Sequence, residues 1–419
     1  MELSKEKVQA YTALYLNNVE CTKNEEFIKL YTNDFQYGEV VKERVSNKSE
    51  GAKLEVELID NAYEALGDIK LRLDFEKLEE EINKKRIELE DKDKELIEKG
   101  FDLSDIPKTI EALKSQGIKI KSLYTSNLKE HKNNPIVKPI YERMKIQDEI
   151  STYENLEKFQ EDGFIIPQVR LWGSLSGRII THSPSTQNFP KYYKDYILPL
   201  RENETCYELD IKAAEIVALA YLAKEDKIFR LIAGKKDIYK FMFYSIFGKS
   251  ELEVTEEQRS LMKELSLAIN YGIGMTKIAE IINNSGISKK KVYEEEARGI
   301  KRKYFKLFPN IEEYLEKIKE ADVLRTDQGF EIEVEPSYRN MAFPAQNYIA
   351  TVMKVLLEHL KDNKQQIVNV VHDSLWISIP EGELEMFKNL MEQLVIQMIP
   401  EEYHSSNIEL VKISKLGGK

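Results

Sequence analysis

Between residues 71 and 100 the apolar positions stand apart and in step. Leu71, Phe75, Leu78, Ile82, Leu89 and Leu96 are separated by three, four or seven residues in a background of Glu and Lys. Such steps return side chains to one helical face. The spacing predicts one long helix or a helical pair over 71–100, closed by Gly100, with Ser104 as the N-cap of the next helix. From pattern alone this is a charged, coiled-coil-like arm. From Gly163 onward the texture changes to mixed α and β. Thr205–Ile211 reads as a strand, 213–224 as a helix with an apolar face, and 256–275 as a long helix started by Thr255. Ile367–Ile379 alternates around the polar break His372-Asp373-Ser374, which predicts a hairpin. Residues 1–53 show no clear pattern, and no internal repeat stands out.

Composition narrows the class. The 419 residues are 42% hydrophobic and 32% charged, as in a globular protein of two or three domains. No apolar run approaches the roughly 20 residues that cross a bilayer. The first residues are polar, without the core of a signal peptide. Cys21 and Cys206 are too few for a disulfide framework, and no Cys/His cluster suggests zinc. A cytoplasmic setting without membrane partners is expected. The net charge of −11 speaks mildly against a nucleic-acid binder, although 62 Lys and Arg residues leave room for a basic groove.

Two aspartates interrupt apolar runs. Asp210 ends Tyr207-Glu208-Leu209-Asp210, and Asp373 lies between Val368-Asn369-Val370-Val371 and Leu375-Trp376-Ile377. A carboxylate in such surroundings is costly unless it is paired, solvated or metal-bound. Taken singly, the two read as a helix cap and a turn residue. Brought together they would repel, and a pair of magnesium ions with oxygen ligands would remove the repulsion. Arg259, Lys263, Leu267 and Tyr271 follow at four-residue steps on one expected helix face. They span about 18 Å at about 1.5 Å per residue, enough to run along an extended nucleotide. Without the aspartates this is a surface helix with a basic edge. Gly272 and Gly274 would let its end bend.

Taken in order, these segments resemble DNA polymerase family A over roughly residues 54–419. Ser176-Gly177-Arg178 and Pro184-Ser185-Thr186-Gln187-Asn188-Phe189-Pro190 are similar to the family's glycine-arginine and glutamine-asparagine signatures. Leu209-Asp210-Ile211-Lys212-Ala213-Ala214-Glu215 resembles its motif A, and Asp237-Ile238-Tyr239 its aspartate-isoleucine-histidine segment. Arg259, Lys263, Tyr271 and Gly272 keep the spacing of motif B, and Val371-His372-Asp373 resembles motif C.

The resemblance implies an α/β (α+β) right-hand fold with an antiparallel-sheet palm, helical fingers and a helical thumb. The thumb would be 54–162, the palm 163–225 and 335–419, and the fingers 226–334. It implies template-directed extension of a primer 3′-OH with dNTPs by two-metal-ion nucleotidyl transfer. Asp210 and Asp373 would hold two Mg2+ ions. Arg259 and Lys263 would bind the triphosphate, with Lys263 also protonating the pyrophosphate. Leu267, Tyr271 and Tyr239 would line the dNTP site, with Glu215 as the steric gate against a 2′-hydroxyl. Arg178 and Gln346 would read the minor groove, Gln187 and Asn188 would hold the DNA backbone, and His372 would touch the primer end.

Several positions depart from the family pattern. Ser374 stands where glutamate is usual, and His372-Asp373-Ser374 is similar to single-subunit phage RNA polymerases. Ala213, Val217, Tyr239 and Leu267 replace glutamine, arginine, histidine and an aromatic residue. An RNA polymerase or primase-like enzyme is therefore one alternative, and a non-catalytic DNA-binding protein on a polymerase fold another. Residues 1–53 read either as a remnant of a 3′–5′ exonuclease domain, with Asn18 where a metal-binding aspartate belongs, or as an unrelated helical cap. No intrinsic proofreading is expected, and an exonuclease or replication-fork proteins would act as separate partners.

Overall fold

The computed structural model describes residues 50–418 other than 133, 249–252, 289 and 405–407. The expectations on Asn18, Cys21 and most of 1–53 lie outside the described residues. The chain enters with helix α1 (Glu50–Leu66) and strand β1 (Leu71–Leu73), and then runs into the long helix α2 (Phe75–Glu98). The helix expected from residue 71 therefore starts late. Leu71 and Leu73 are buried and Arg72 is exposed, a two-residue alternation hidden inside the wider spacing. Asp74 caps α2 by accepting from the Lys77 amide at 3.1 Å. Gly100 follows the C-cap with φ +82°, as the sequence suggests. Helix α3 (Ile106–Ser115) is capped by Asp105 and not by Ser104, whose hydroxyl and amide both donate to Asp102.

After a single turn, α4 (Thr125–Leu128), helix α5 (Val137–Glu157) returns along α2. Leu78 and Ile82 meet Ile146, Ile150 and Tyr153 in one buried cluster. Each such side chain contributes roughly 1.5–3 kcal/mol relative to exposure. Lys85–Glu149 and Arg143–Asp93, each at 2.7 Å, fix the register at the edges. The far end closes separately on Leu96, Leu113, Leu128 and Ile140. The charged stretch is thus an antiparallel helical arm with its own tip.

Strands β2 (Gln160–Glu161) and β3 (Phe164–Ile165) join β1 and β6 (Ile197–Leu198) in the order β2-β3-β1-β6. Between them β4 (Gln168–Arg170) and β5 (Ile180–His182) pair as a separate ribbon. The central sheet contains β7 (Thr205–Ile211), β10 (Ile367–Val371), β11 (Ser374–Ile379) and β12 (Val411–Leu416). Its order is β10-β11-β7-β12, antiparallel throughout.

The helices between β7 and β8 (Val323–Arg325) are α6 (Ala214–Ala223), α7 (Asp226–Ala233), α8 (Ile238–Phe247), α9 (Glu256–Asn270), α10 (Met275–Asn284), α11 (Glu294–Leu307) and α12 (Pro309–Lys319). β8 pairs with β9 (Glu331–Glu333), and helices α13 (Phe343–His359) and α14 (Leu384–Val395) follow. Thr255 caps α9 in a capping box with Gln258. The expected single helix over 256–275 breaks at Tyr271, the C-cap, because Gly272 turns to φ +73° before α10 begins.

The central sheet packs apolar side chains on both faces. Leu209, Ile211, Leu375 and Ile377 join the main core with Ile59 of α1, Ile216 of α6, Met262 of α9 and Met353 of α13. Cys206, Trp376 and Leu416 face the base of the helical arm. Toward the β10–β11 turn the second face becomes polar, with Glu208 opposite Trp376 and Asp210 opposite Ser374. The functional side chains gather at that end.

Candidate active site

Strand register brings the two aspartates together. Asp210 pairs with Ser374 across β7 and β11, and Asp373 occupies the two-residue turn just before Ser374. The turn is the hairpin expected at His372-Asp373, with His372 at φ +56°. The Ile211 amide donates to the Asp373 carbonyl at 3.2 Å, fixing the turn to the end of β7. Burial and the negative charge of Asp210 push the Asp373 carboxyl up to about 7. Burial and Glu208 raise Asp210, while Lys263, Lys412 and Lys194 oppose the rise. The repulsion expected of the pair is felt at Asp373, whereas Asp210 responds first to burial and to Glu208.

Helix α9 faces this pair. Leu261, Met262, Leu265 and Ile269 bury one side of it. Arg259 and Leu267 are half-buried and Lys263 is exposed. The Lys263 charge lowers the proton affinity of both Asp210 and Asp373. Arg259 Nε donates to Asp237 Oδ2 at 2.6 Å, and its guanidinium lies 5.3 Å from the Tyr239 ring centroid. Asp237 Oδ1 meanwhile caps α8 by accepting from the Lys240 amide at 2.9 Å. Tyr239 is buried, and burial followed by the Glu215 charge raises its hydroxyl above the ordinary range.

Tyr271 hydroxyl donates to Glu215 Oε1 in the first turn of α6. Burial and the Glu215 charge raise the Tyr271 hydroxyl, and Gln346 hydrogen-bonds it from α13. Gln346 also accepts from the Ser176 hydroxyl at 3.1 Å. Arg178 acts electrostatically on both Tyr271 and His372, whose imidazole is lowered by burial and by that cation. Glu215 in turn raises Asp373. Asp210, Asp373, Lys263, Arg259, Tyr239, Glu215, Tyr271, Gln346, Arg178 and His372 thus form one continuous polar site.

Gln187 and Asn188 stand differently. The Gln187 amide donates to the Ile179 and Val370 carbonyls at 3.1 and 2.9 Å and accepts from the Thr181 amide. It ties its segment to β10. Asn188 is exposed and donates to the Ser185 hydroxyl at 2.9 Å. Sequence reasoning missed Glu208, Lys194 and the Asp237 contact. The strand alternation could have revealed Glu208, which stands two residues before Asp210.

Among the described residues, no group of three or more His, Cys, Asp or Glu is arranged to hold a metal ion. The donor set nonetheless fits magnesium, which binds through one or two carboxylates and completes its shell with water and substrate phosphates. Asp373, with a raised proton affinity beside Asp210, is a site that a cation would relieve. No described helix is long and apolar enough to cross a membrane.

Comparison with known proteins bears on the family and the fold. DNA polymerase I of Aquifex aeolicus is 23% identical over 289 residues, covering 64% of this chain and 50% of that protein. DNA polymerase I of Helicobacter pylori (strain 26695) is 27% identical over 273 residues, covering 61% of this chain and 29% of that one. The DNA polymerase of Bacillus phage SP01 is 21% identical over 272 residues, covering 56% and 29%. The chain therefore spans half or less of these relatives. The POL domain of Pol1 from M. smegmatis, solved in complex with DNA primer-template and dNTP, matches with a TM-score of 0.74 at 16% identity. That match covers 98% of this chain and 81% of the other. The mixed α/β architecture is accordingly the palm, fingers and thumb arrangement expected from the motifs. The sequence profile of DNA polymerase family A matches residues 70–326. With more than half of its 419 residues matched, the chain belongs to DNA polymerase family A.

Proposed function

We propose that this chain extends a DNA primer with dNTPs on a template strand by nucleotidyl transfer. The observation that carries this reading is the convergence of Asp210, Asp373 and Lys263 of α9 at the polar end of one sheet. Asp210 and Asp373 would hold two magnesium ions, which when bound supply activation of the primer 3′-oxygen and stabilisation of the leaving pyrophosphate. Lys263 neutralises charge developing on the phosphates and delivers a proton to the pyrophosphate. Arg259, steadied by Asp237, binds the triphosphate tail. Leu267 lies along the sugar, and Tyr239 supports Arg259.

Glu215, held by Tyr271, fills the place of a ribose 2′-hydroxyl. Arg178, Gln346 and His372 meet the primer end, while Asn188 meets the DNA backbone. Gln187 serves the same contact indirectly, by holding the segment against β10. The thumb is 54–162, the palm 163–225 and 335–419, and the fingers 226–334, with α1 packed on the palm core. Primer-template DNA and dNTPs are the partners.

Ser374 favours a second reading, an RNA polymerase or primase-like activity. Extension of a labelled primer, with deoxynucleotides or ribonucleotides and with or without magnesium, separates the two. Deoxynucleotide extension that needs magnesium and is lost in Asp373→Ala is the expected result. Extension unchanged in that variant would remove Asp373 from the chemistry.

A further inference from the structure

The polar end of the central sheet carries an ion pair that no step above uses. Glu208 lies two residues before Asp210 on β7, so both side chains leave the same face. Its carboxylate is held by three donors. Lys194 Nζ donates to both oxygens at 2.6 Å, the Trp376 indole to Oε1 at 3.1 Å, and the Ser374 hydroxyl to Oε1 at 3.3 Å. Lys194 Nζ also lies 5.3 Å from the Trp376 ring centroid. The Ser374 hydroxyl has a second acceptor, the Val371 carbonyl at 3.0 Å, at the base of the turn that carries Asp373.

The pair is well shielded on one side and open on the other. The Glu208 side chain is 13% exposed and that of Lys194 35%. Both charges, one of each sign, stand on the face of the sheet that carries Asp210. A carboxylate held this firmly contributes a fixed charge. Along an extended strand it stands about 7 Å from Asp210.

We propose that Glu208 and Lys194 form a charge couple that sets how tightly the Asp210–Asp373 pair holds a divalent cation, with Glu208 strengthening the hold and Lys194 tempering it. The inference rests on the metal-holding role proposed above for the two aspartates. Neither residue is a ligand, and both are positioning residues. While both are present their fields largely cancel. Removing one uncovers the other. An uncovered unit charge at that range, screened as in bulk water with a dielectric constant of about 80, shifts divalent-cation affinity roughly tenfold.

The test is titration of the nucleotide-free protein with Mn2+, read from the electron paramagnetic resonance signal of the free ion. Glu208→Gln keeps an acceptor for Trp376 and should weaken Mn2+ binding about tenfold. Lys194→Gln should tighten it by a similar factor, and the double variant should return close to the wild type. A purely structural role would weaken binding in both single variants. That result, or unchanged affinity in both, overturns the couple. Should Glu208→Gln fail to fold, Lys194→Gln decides alone: tighter binding supports the couple, and weaker or unchanged binding rejects it. Asp210→Asn separates the two levels of inference. If it leaves wild-type Mn2+ binding intact, the aspartate reading itself fails. If it abolishes binding while the couple variants do nothing, only the couple fails.

Discussion

The Asp373 carbonyl accepts a hydrogen bond from the amide of Ile211, the residue after Asp210, at 3.2 Å, so the two acidic side chains are held together by backbone. Held in that way, they cannot relax apart when both ionise. The cost falls on Asp373, whose carboxyl rises from 3.8 to about 7. Between those values the folded protein binds more protons than the unfolded chain. Stability is therefore highest below the lower value and is lost as pH rises toward the upper one. Asp373→Asn removes this loss. Without divalent cations at about pH 8, the variant should be more stable than the wild type by on the order of 4 kcal/mol. The gain should shrink to nothing near pH 4. Thermal unfolding in a chelator across this range measures the difference. A difference that does not change with pH would show that Asp373 ionises as it does in water.

The Tyr271–Glu215 hydrogen bond fixes the carboxylate proposed to exclude a 2′-hydroxyl. Glu215→Ala opens that space and should raise ribonucleotide incorporation relative to deoxynucleotide by about a hundredfold, the range of a strong steric and polar discrimination. Tyr271→Phe keeps the ring and removes only the donor. It should change the ratio in the same direction by a smaller factor, roughly fivefold, because Glu215 loses one fixed contact. The ratio of kcat/KM for the two nucleotide classes reads both effects. An unchanged ratio in Glu215→Ala would refute the gate.

What could be read from the chain follows from the range of the interactions involved. Thr205–Ile211 and the 367–379 hairpin were legible because buried strands need short runs rich in apolar residues, and His372-Asp373 could not continue them. Thr255 was legible because a cap and its Gln258 partner are neighbours in sequence. Leu71–Leu73 escaped because three residues of strand fit inside a helical spacing, and their β character comes from pairing with Phe164 and Ile165 and with Ile197 and Leu198. The end of α9 escaped because apolar residues continue past Tyr271, and only the backbone of Gly272 breaks the helix. Within the site, motif spacing marked Asp210, Asp373, Arg259 and Lys263. It could not reveal that Asp237 holds Arg259 across 22 positions, or that Lys194 neutralises Glu208.

Asp237 divides its carboxylate between capping α8 and holding Arg259. Asparagine caps a helix about as well as aspartate but carries no charge for the guanidinium. Asp237→Asn should therefore leave the melting temperature nearly unchanged and raise the dNTP KM about three- to tenfold, with kcat little altered. Arg259→Ala should raise KM further. Steady-state extension at varied dNTP concentration separates the two parameters. A drop in kcat with KM unchanged would mean that Arg259 works in the transition state and not in holding the triphosphate.

Gly272 offers a test of how the seat of Tyr271 is built. Its φ of +73° belongs to the left-handed region, which costs a side-chain-bearing residue roughly 1–2 kcal/mol. A Cβ there would also stand 2.7 Å from Met341 Sδ and 3.0 Å from Tyr338 Cβ. Methionine can yield, but the Cβ of Tyr338 moves only with its backbone. Gly272→Ala should therefore destabilise the fold by about 2–3 kcal/mol and shift the C-cap that carries Tyr271. Because Tyr271 holds Glu215, the same variant should relax discrimination against ribonucleotides. Gly274 is the control: a Cβ added to it would meet no atom within 4 Å, and it is the N-cap of α10 at φ −73°. Gly274→Ser suits that position and should leave both stability and sugar discrimination unchanged. Loss of stability in Gly272→Ala with discrimination intact would show that the Glu215 contact does not depend on where α9 ends.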